Sequence, residues 1–152
     1  MKINKALLVY KKSAYEAYFM EYKRKHFATL SKSGDIGLQH IRRAHEAHYE
    51  SLEFIESTLK KRRIKYLRAF RGGRFNEKSF DLIISVGGDG TFLDAAKNVS
   101  NKFILGVNSD LGHSVGKYCS ANKRSFEHVL NRILHDKLEW VGINRIKISM
   151  EL

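Results

Sequence analysis

The sequence predicts an α/β domain: a three-layer, doubly wound parallel sheet with a long helical insertion after its first strand. Three observations carry this reading. The runs ALLVY (residues 6–10), DLIISV (81–86) and KFILGV (102–107) are short and almost wholly apolar, as in strands buried on both faces. Stretches with helical apolar spacing separate them, the pattern of strand–helix–strand crossovers. At 152 residues and 43% hydrophobic, the chain suits one packed domain.

The first strand is ALLVY. Beyond Lys11 and Lys12, Ser13 and Glu16 have capping-box spacing, and Tyr15, Tyr18, Phe19, Tyr22 and Leu30 follow at helical intervals. These predict a helix from Ser13 to about Leu30, then a loop over 31–37. A longer helix is predicted over Leu38–Arg62. Leu38, Ile41, His45, His48, Leu52, Ile55 and Leu59 form a seam on it, suited to a neighbouring helix or a partner subunit. His45 and His48 stand three apart, a spacing that could hold a metal, but no third ligand is near. Polar seam residues more often set register. Lys60–Arg63 (KKRR) fall where cations complement a helix C-terminus.

IKYLRAF then reads as a strand, RGGRFNEKSF as a basic loop, DLIISV as a strand, TFLDAAKNV as a helix and KFILGV as a strand. In NKRSFEHVLNRIL, Asn122 or Ser125 caps a helix with Phe126, Val129, Leu130 and Ile133 on one face. NRIKISMEL alternates like a strand covered on one side. Right-handed crossovers put every strand C-terminus on one edge, where ligands of open sheets bind. That edge gathers Lys11 and Lys12, Gly87–Thr91, and Asn108–Asp110.

Composition narrows the function. Lys and Arg exceed Asp and Glu by 28 to 16, a formal +12 that favours an anionic partner. The single cysteine, Cys119, excludes an internal disulfide and suits a reducing, cytoplasmic setting. No stretch approaches the roughly twenty apolar residues of a membrane span. The opening MKINKALLVY is too short in apolar residues for a secretory leader. Proline is absent, so turns fall to Gly, Asn, Asp and Ser.

The turn GGDGT (87–91) is the least ordinary stretch. A phosphate-binding Walker loop requires Lys-Ser/Thr after its last glycine, but Thr91 and Phe92 follow Gly90. The dinucleotide fingerprint requires a glycine at 93, which is Leu93. A purely structural turn would not need three glycines and an exposed charge. Without Cβ atoms at Gly87, Gly88 and Gly90, a phosphate or ribose can approach the backbone, and the following helix start favours negative charge. Thr91 can add a hydroxyl. Those same amides are expected to hold Asp89 ionised, so its use must lie in placement: accepting a proton from an aligned hydroxyl, or helping to hold a divalent cation.

GGDGTFLDAA followed by ILGVNSD resembles the NAD kinase family, within the superfamily shared with diacylglycerol and sphingosine kinases. GVNSD with SVG and YC (Gly106–Cys119) is similar to the mitochondrial-type branch. The resemblance implies a Rossmann- or flavodoxin-like N-terminal domain and transfer of the ATP γ-phosphate to the 2′-hydroxyl of the adenosine ribose of NAD, with Mg²⁺. It implies Asp89 as proton acceptor and Asp89 with Gly90 as NAD contacts. Gly87, Gly88 and Thr91 complete the nucleotide loop, Asn108 shapes the crevice floor, and Lys12 meets phosphate. No side chain is assigned as a metal ligand.

The resemblance also implies a homodimer formed through the helical insertion. It divides the chain into a nucleotide-binding domain, residues 1–142, and the first strand of a β-rich second domain, residues 143–152. That domain's Thr-Gly-Ser motif does not occur in these residues, so little kinase activity is expected of them alone. Two alternatives stay open. A lipid kinase would need an apolar bilayer-docking surface, and a nucleic-acid module would use the basic excess but leave Asp89 unexplained.

Overall fold

The computed structural model describes residues 2–21 and 36–145. The expected helix beyond 21, the loop over 31–35 and the closing strand from 146 onward lie outside them. Five strands form one sheet: β1 (Lys5–Tyr10), β2 (Lys65–Phe70), β3 (Leu82–Gly87), β4 (Phe103–Asn108) and β5 (Ala121–Asn122). The order is β2-β1-β3-β4-β5 and every pairing is parallel. Leu7 lies between Leu67 of β2 and Ile83 of β3. The expected doubly wound architecture is therefore present.

The continuous apolar runs are explained by burial on both faces. One face sets Ala6, Leu8 and Tyr10 of β1 and Leu82, Ile84 and Val86 of β3 against two helices, α1 (Ile36–Lys61) and α3 (Phe126–Leu134). Leu52, Ile55, Leu59, Phe126, Leu130 and Ile133 supply the helix side. The other face packs Leu7, Val9 and Ile83 against Ala95 of α2 (Asp89–Ala96) and against Val99. Edge strand β2 has one wet flank, so Lys65 and Arg68 are tolerated and Leu67 is exposed. Two-residue β5 was not foreseen, being too short to show a pattern.

Helix α1 matches its predicted span within two residues. Its seam does not await a subunit along its whole length: His48, Leu52, Ile55 and Leu59 are buried, the three apolar ones in the core against the chain's own sheet. Apolar spacing alone cannot distinguish a sheet from a second helix. The helix closes with Ile64 N–H donating to Leu59 O at 2.9 Å, while Arg63 takes the left-handed conformation, φ 57. After β1, residues Glu16–Glu21 of the first helical segment are wound as a π-helix. Ser13 Oγ caps it by accepting from Glu16 N–H at 3.0 Å. The reciprocal half of the capping box is absent, because the Glu16 carboxylate accepts from Tyr49 Oη instead.

Carboxylates fasten the loops at the sheet's other end. Asp81 Oδ2 accepts from Asn4 N–H at 2.8 Å and Lys5 N–H at 2.9 Å, holding the strand entries together. The Asn4 amide, foremost, holds the Asp81 carboxyl below its ordinary range. A depressed folded value gives stability that is present above the unfolded carboxylate range and lost as pH falls through the folded value. Acidification below about pH 4 should therefore lower the urea midpoint. Asp81→Asn should flatten that decline; an unchanged acid limb in the variant would refute this role.

Candidate functional site

β3 ends at Gly87 and α2 begins at Asp89, with Gly88 as its N-cap (φ −107, ψ −165). Thr91 N–H and Phe92 N–H both donate to Gly88 O, at 3.0 and 3.2 Å. No side chain caps this helix, and its first amides have no acceptor within the helix. Asp89 places a negative charge in the first turn, where the helix dipole favours it.

The amides that hold Asp89 are not those of its own helix, as the sequence had suggested. Oδ2 accepts from Lys117 N–H at 3.0 Å and Oδ1 from Tyr118 N–H at 2.8 Å, across the loop that follows β4. The Tyr118 ring stacks on Phe92 of α2, centroids 5.5 Å apart at 7°. Asp89 is only half-buried. Each carboxylate oxygen keeps a further lone-pair site for a ligand.

The three glycines differ in purpose. A Cβ on Gly87 would overlap Thr91 Oγ1 and lie 2.8 Å from Thr91 Cβ; one on Gly88 would overlap Ser114 Oγ. At these two positions the missing Cβ makes room for the protein itself rather than for a ligand. Gly90 is exposed, and the nearest atom to its would-be Cβ is Arg71 Nη1 at 3.4 Å. Thr91 is 1% exposed and its buried hydroxyl has no partner, so it is not offered to the crevice. The close-approach expectation is corrected at Gly87 and Gly88, where Thr91 and Ser114 fill the space.

Asn108, buried at the end of β4, bonds the backbone of the loop that follows it. Its Nδ2 donates to Ser114 O at 2.8 Å and its Oδ1 accepts from Asp110 N–H at 3.1 Å. Ser109 N–H donates to Gly87 O at 3.2 Å, tying the two turns together. Behind them, His48 Nδ1 meets Ser109 Oγ at 2.8 Å, and burial, then the Lys11 charge, pulls its pKa to about 4. His45 instead meets Ser13 Oγ at 2.7 Å, so the histidine pair does not converge on a metal. Among the described residues, no group of three His, Cys, Asp or Glu side chains could hold a metal ion.

Lys12 lies at the neighbouring strand end, its Nζ 5.1 Å over the Phe70 ring. Lys11, Lys12, Phe70 and Arg71 line a cavity of about 510 Å³. Burial, then the Asp89 charge, pushes the Cys119 thiol up to about 11, which leaves it inert as a nucleophile. The structure thus joins Gly87–Thr91 to Asn108 and the 114–118 loop, while Lys12 stands on the adjacent β1–β2 side. Sequence reasoning missed the roles of Ser114, the Lys117 and Tyr118 amides, and Arg71. The signal within LGHSVGKY was its own glycines, which permit a loop to lie tightly on Asn108 and Asp110.

A glycine series separates these roles. Gly87→Ala should destabilise the fold by about 1–3 kcal/mol, through overlap with α2. Gly90→Ala, inside the helix with space around it, should be neutral or up to about 1 kcal/mol more stable. Equal losses in urea denaturation would overturn this division.

Comparison with known proteins agrees with the geometry. The chain is 27% identical over 140 residues to an NADH kinase of Arabidopsis thaliana, covering 81% of this chain and 44% of that protein. It is 32% identical over 111 residues to the mitochondrial NAD kinase 2 of Xenopus tropicalis, covering 68% of this chain and 26% of that protein. With an NAD kinase of Bacteroides fragilis it shares 40% over 91 residues, 57% of this chain and 28% of that protein. The chain therefore spans less than half the length of these relatives. Residues 7–138, which contain the whole sheet except its first two residues together with the Asp89 turn, match the ATP-NAD kinase N-terminal domain, and the chain belongs to that family.

Proposed function

We propose that this chain is the nucleotide-binding half of an enzyme that transfers the ATP γ-phosphate to the 2′-hydroxyl of the adenosine ribose of NAD, giving NADP. The observation that carries this is Asp89: a carboxylate at a helix start, fixed by two amides, beside the open backbone of Gly90. Phosphoryl transfer demands little covalent help from a protein; alignment and charge compensation dominate. In this reading Asp89 accepts the proton of the ribose hydroxyl as that oxygen attacks phosphorus. Gly90 lets the ribose approach, Asn108 holds the floor, and Lys12 compensates phosphate charge. Gly87, Gly88 and Thr91 serve by shaping the turn.

The donor set fits Mg²⁺, which commonly uses one or two carboxylates and completes its shell with water and substrate phosphates. Asp89 would be the protein's contribution, and the ion would neutralise phosphate charge. Residues 143–152 are assigned to the start of a second, β-rich domain that completes the NAD pocket. Pairing of two copies belongs to the same proposal, through the N-terminal part of α1, where Leu38 and Ile41 are only half-buried. The cytoplasmic setting rests on the lone Cys119 thiol. Among the described residues, no helix is long and apolar enough to cross a membrane. No observation favours a lipid or nucleic-acid substrate.

Calorimetric titration with NAD and with Mg²⁺-ATP tests the reading. Asp89→Asn should weaken NAD binding at least tenfold without unfolding the chain, whereas wild-type affinity in the variant would sink the assignment. NADP formation by these residues alone should stay at background; robust turnover would refute the need for a second domain. Light scattering should show twice the chain mass, and a monomer would remove the pairing.

A further inference from the structure

The turn after β2 brings a cation to the candidate site in a way the motif does not foretell. Arg71 N–H continues the ladder by donating to Tyr10 O at 2.8 Å, and Gly73 N–H closes the turn on Phe70 O at 3.1 Å. Between them Gly72 adopts φ +88, a left-handed conformation suited to glycine. Its N–H donates to Asp94 Oδ2 at 2.5 Å. Asp94 follows Gly90 by four residues on α2, so both lie on one helix face. That bond fastens the β2 turn to the face carrying Gly90 and sets Arg71 Nη1 3.4 Å from the would-be Gly90 Cβ. Lys97 Nζ, at 3.1 Å from Asp94 Oδ1, completes the anchor.

Arg71 also lines the cavity shared with Lys11, Lys12 and Phe70. Three cations from two strand ends meet there, and among the described residues no carboxylate lines it. Such a surface discriminates for anions. A guanidinium, with its planar fork of donors, suits phosphate oxygens in particular. A neutral sugar or a bare divalent cation would find nothing to favour it.

We propose that Arg71 grips the phosphate chain of a nucleotide lying across Gly90, and that Asp94 is its positioning residue, holding the β2 turn onto α2. The inference rests on the phosphotransfer reading but adds a ligand contact to it. The shared chemistry is a chain of linked phosphates, either the triphosphate of the donor or the pyrophosphate of the dinucleotide.

The test titrates the full chain with ATP, NAD and inorganic tripolyphosphate, at two salt concentrations. Arg71 is exposed, so Arg71→Gln should fold normally. It should weaken tripolyphosphate and at least one nucleotide about tenfold or more, the usual worth of a charged hydrogen bond, and lessen the salt dependence. Arg71→Lys should recover part of the loss. Asp94→Asn should weaken the same ligands by a smaller factor, and adding it to Arg71→Gln should cost nothing further, which a merely structural role would not produce. A loss for ATP alone assigns the contact to the donor; a loss for NAD alone assigns it to the dinucleotide. Arg71→Gln binding all three like wild type overturns the proposal. If that happens while Asp89→Asn still loses NAD, the kinase reading survives without this subsite. If wild type binds tripolyphosphate through Arg71 but neither nucleotide, the subsite survives and the kinase reading falls.

Discussion

A carboxylate accepting hydrogen bonds from two main-chain amides, Asp89 with Lys117 and Tyr118, is the constraint on which the site depends. It joins the turn between β3 and α2 to the loop between β4 and β5, segments that the parallel ladder and the Ser109–Gly87 bond already bring side by side. Once joined, other contacts follow: Ser114 occupies the space left by Gly88, and Asn108 bonds the backbone of the same loop. Parallel topology supplies the edge, and this one bond pair gives the edge its shape.

The same device recurs elsewhere. Asp81 takes the Asn4 and Lys5 amides, Glu77 those of Ser100 and Asn101, and Asp94 that of Gly72. In a chain with 16 acidic and 28 basic side chains, several of the scarcer carboxylates serve to fasten loops distant in sequence. Cations on α1 and its surroundings are partly paired: Arg42 with Glu46, Arg62 with Glu127, Arg68 with Glu56, Lys123 with Glu50. Lys60 of the KKRR cluster sits 6.0 Å over the Tyr66 ring. The basic excess is thereby interrupted over the helices, while Lys11, Lys12 and Arg71 gather at the strand ends. This distribution suits a compact anion better than a long polyanion.

Much of the fold was legible because full burial leaves a strong mark. β1, β3 and β4 announced themselves as nearly unbroken apolar runs, and α1 by spacing sustained over about six turns. β5 was illegible, since two residues carry no period. The α1 seam showed that something apolar lay opposite without saying what. Glycine was the subtler failure. Sequence shows that a Cβ is missing, but not whether Thr91, Ser114 or a ligand fills the vacancy. The motif therefore marked a turn at the sheet edge while mixing residues that build it with those that face outward. Arg71 was hidden for a related reason: its place is set by a bond between Gly72 and Asp94, 22 residues apart.

The choice of amides to hold Asp89 matters chemically. A lysine or arginine in direct contact would also have fixed the carboxylate, but it would have neutralised the charge needed to draw a hydroxyl proton or a cation. Backbone amides direct the carboxylate without bringing net charge, and two donors on separate oxygens restrict its rotation. The remaining lone-pair sites on a half-buried group are left for the proposed ligand. Cations are present nearby, on the β1 and β2 ends, where an approaching phosphate can meet them. In the proposed transfer, separating the orienting groups from the charge-compensating groups would let an acid and an anionic substrate share one crevice, with alignment rather than basic strength promoting the reaction.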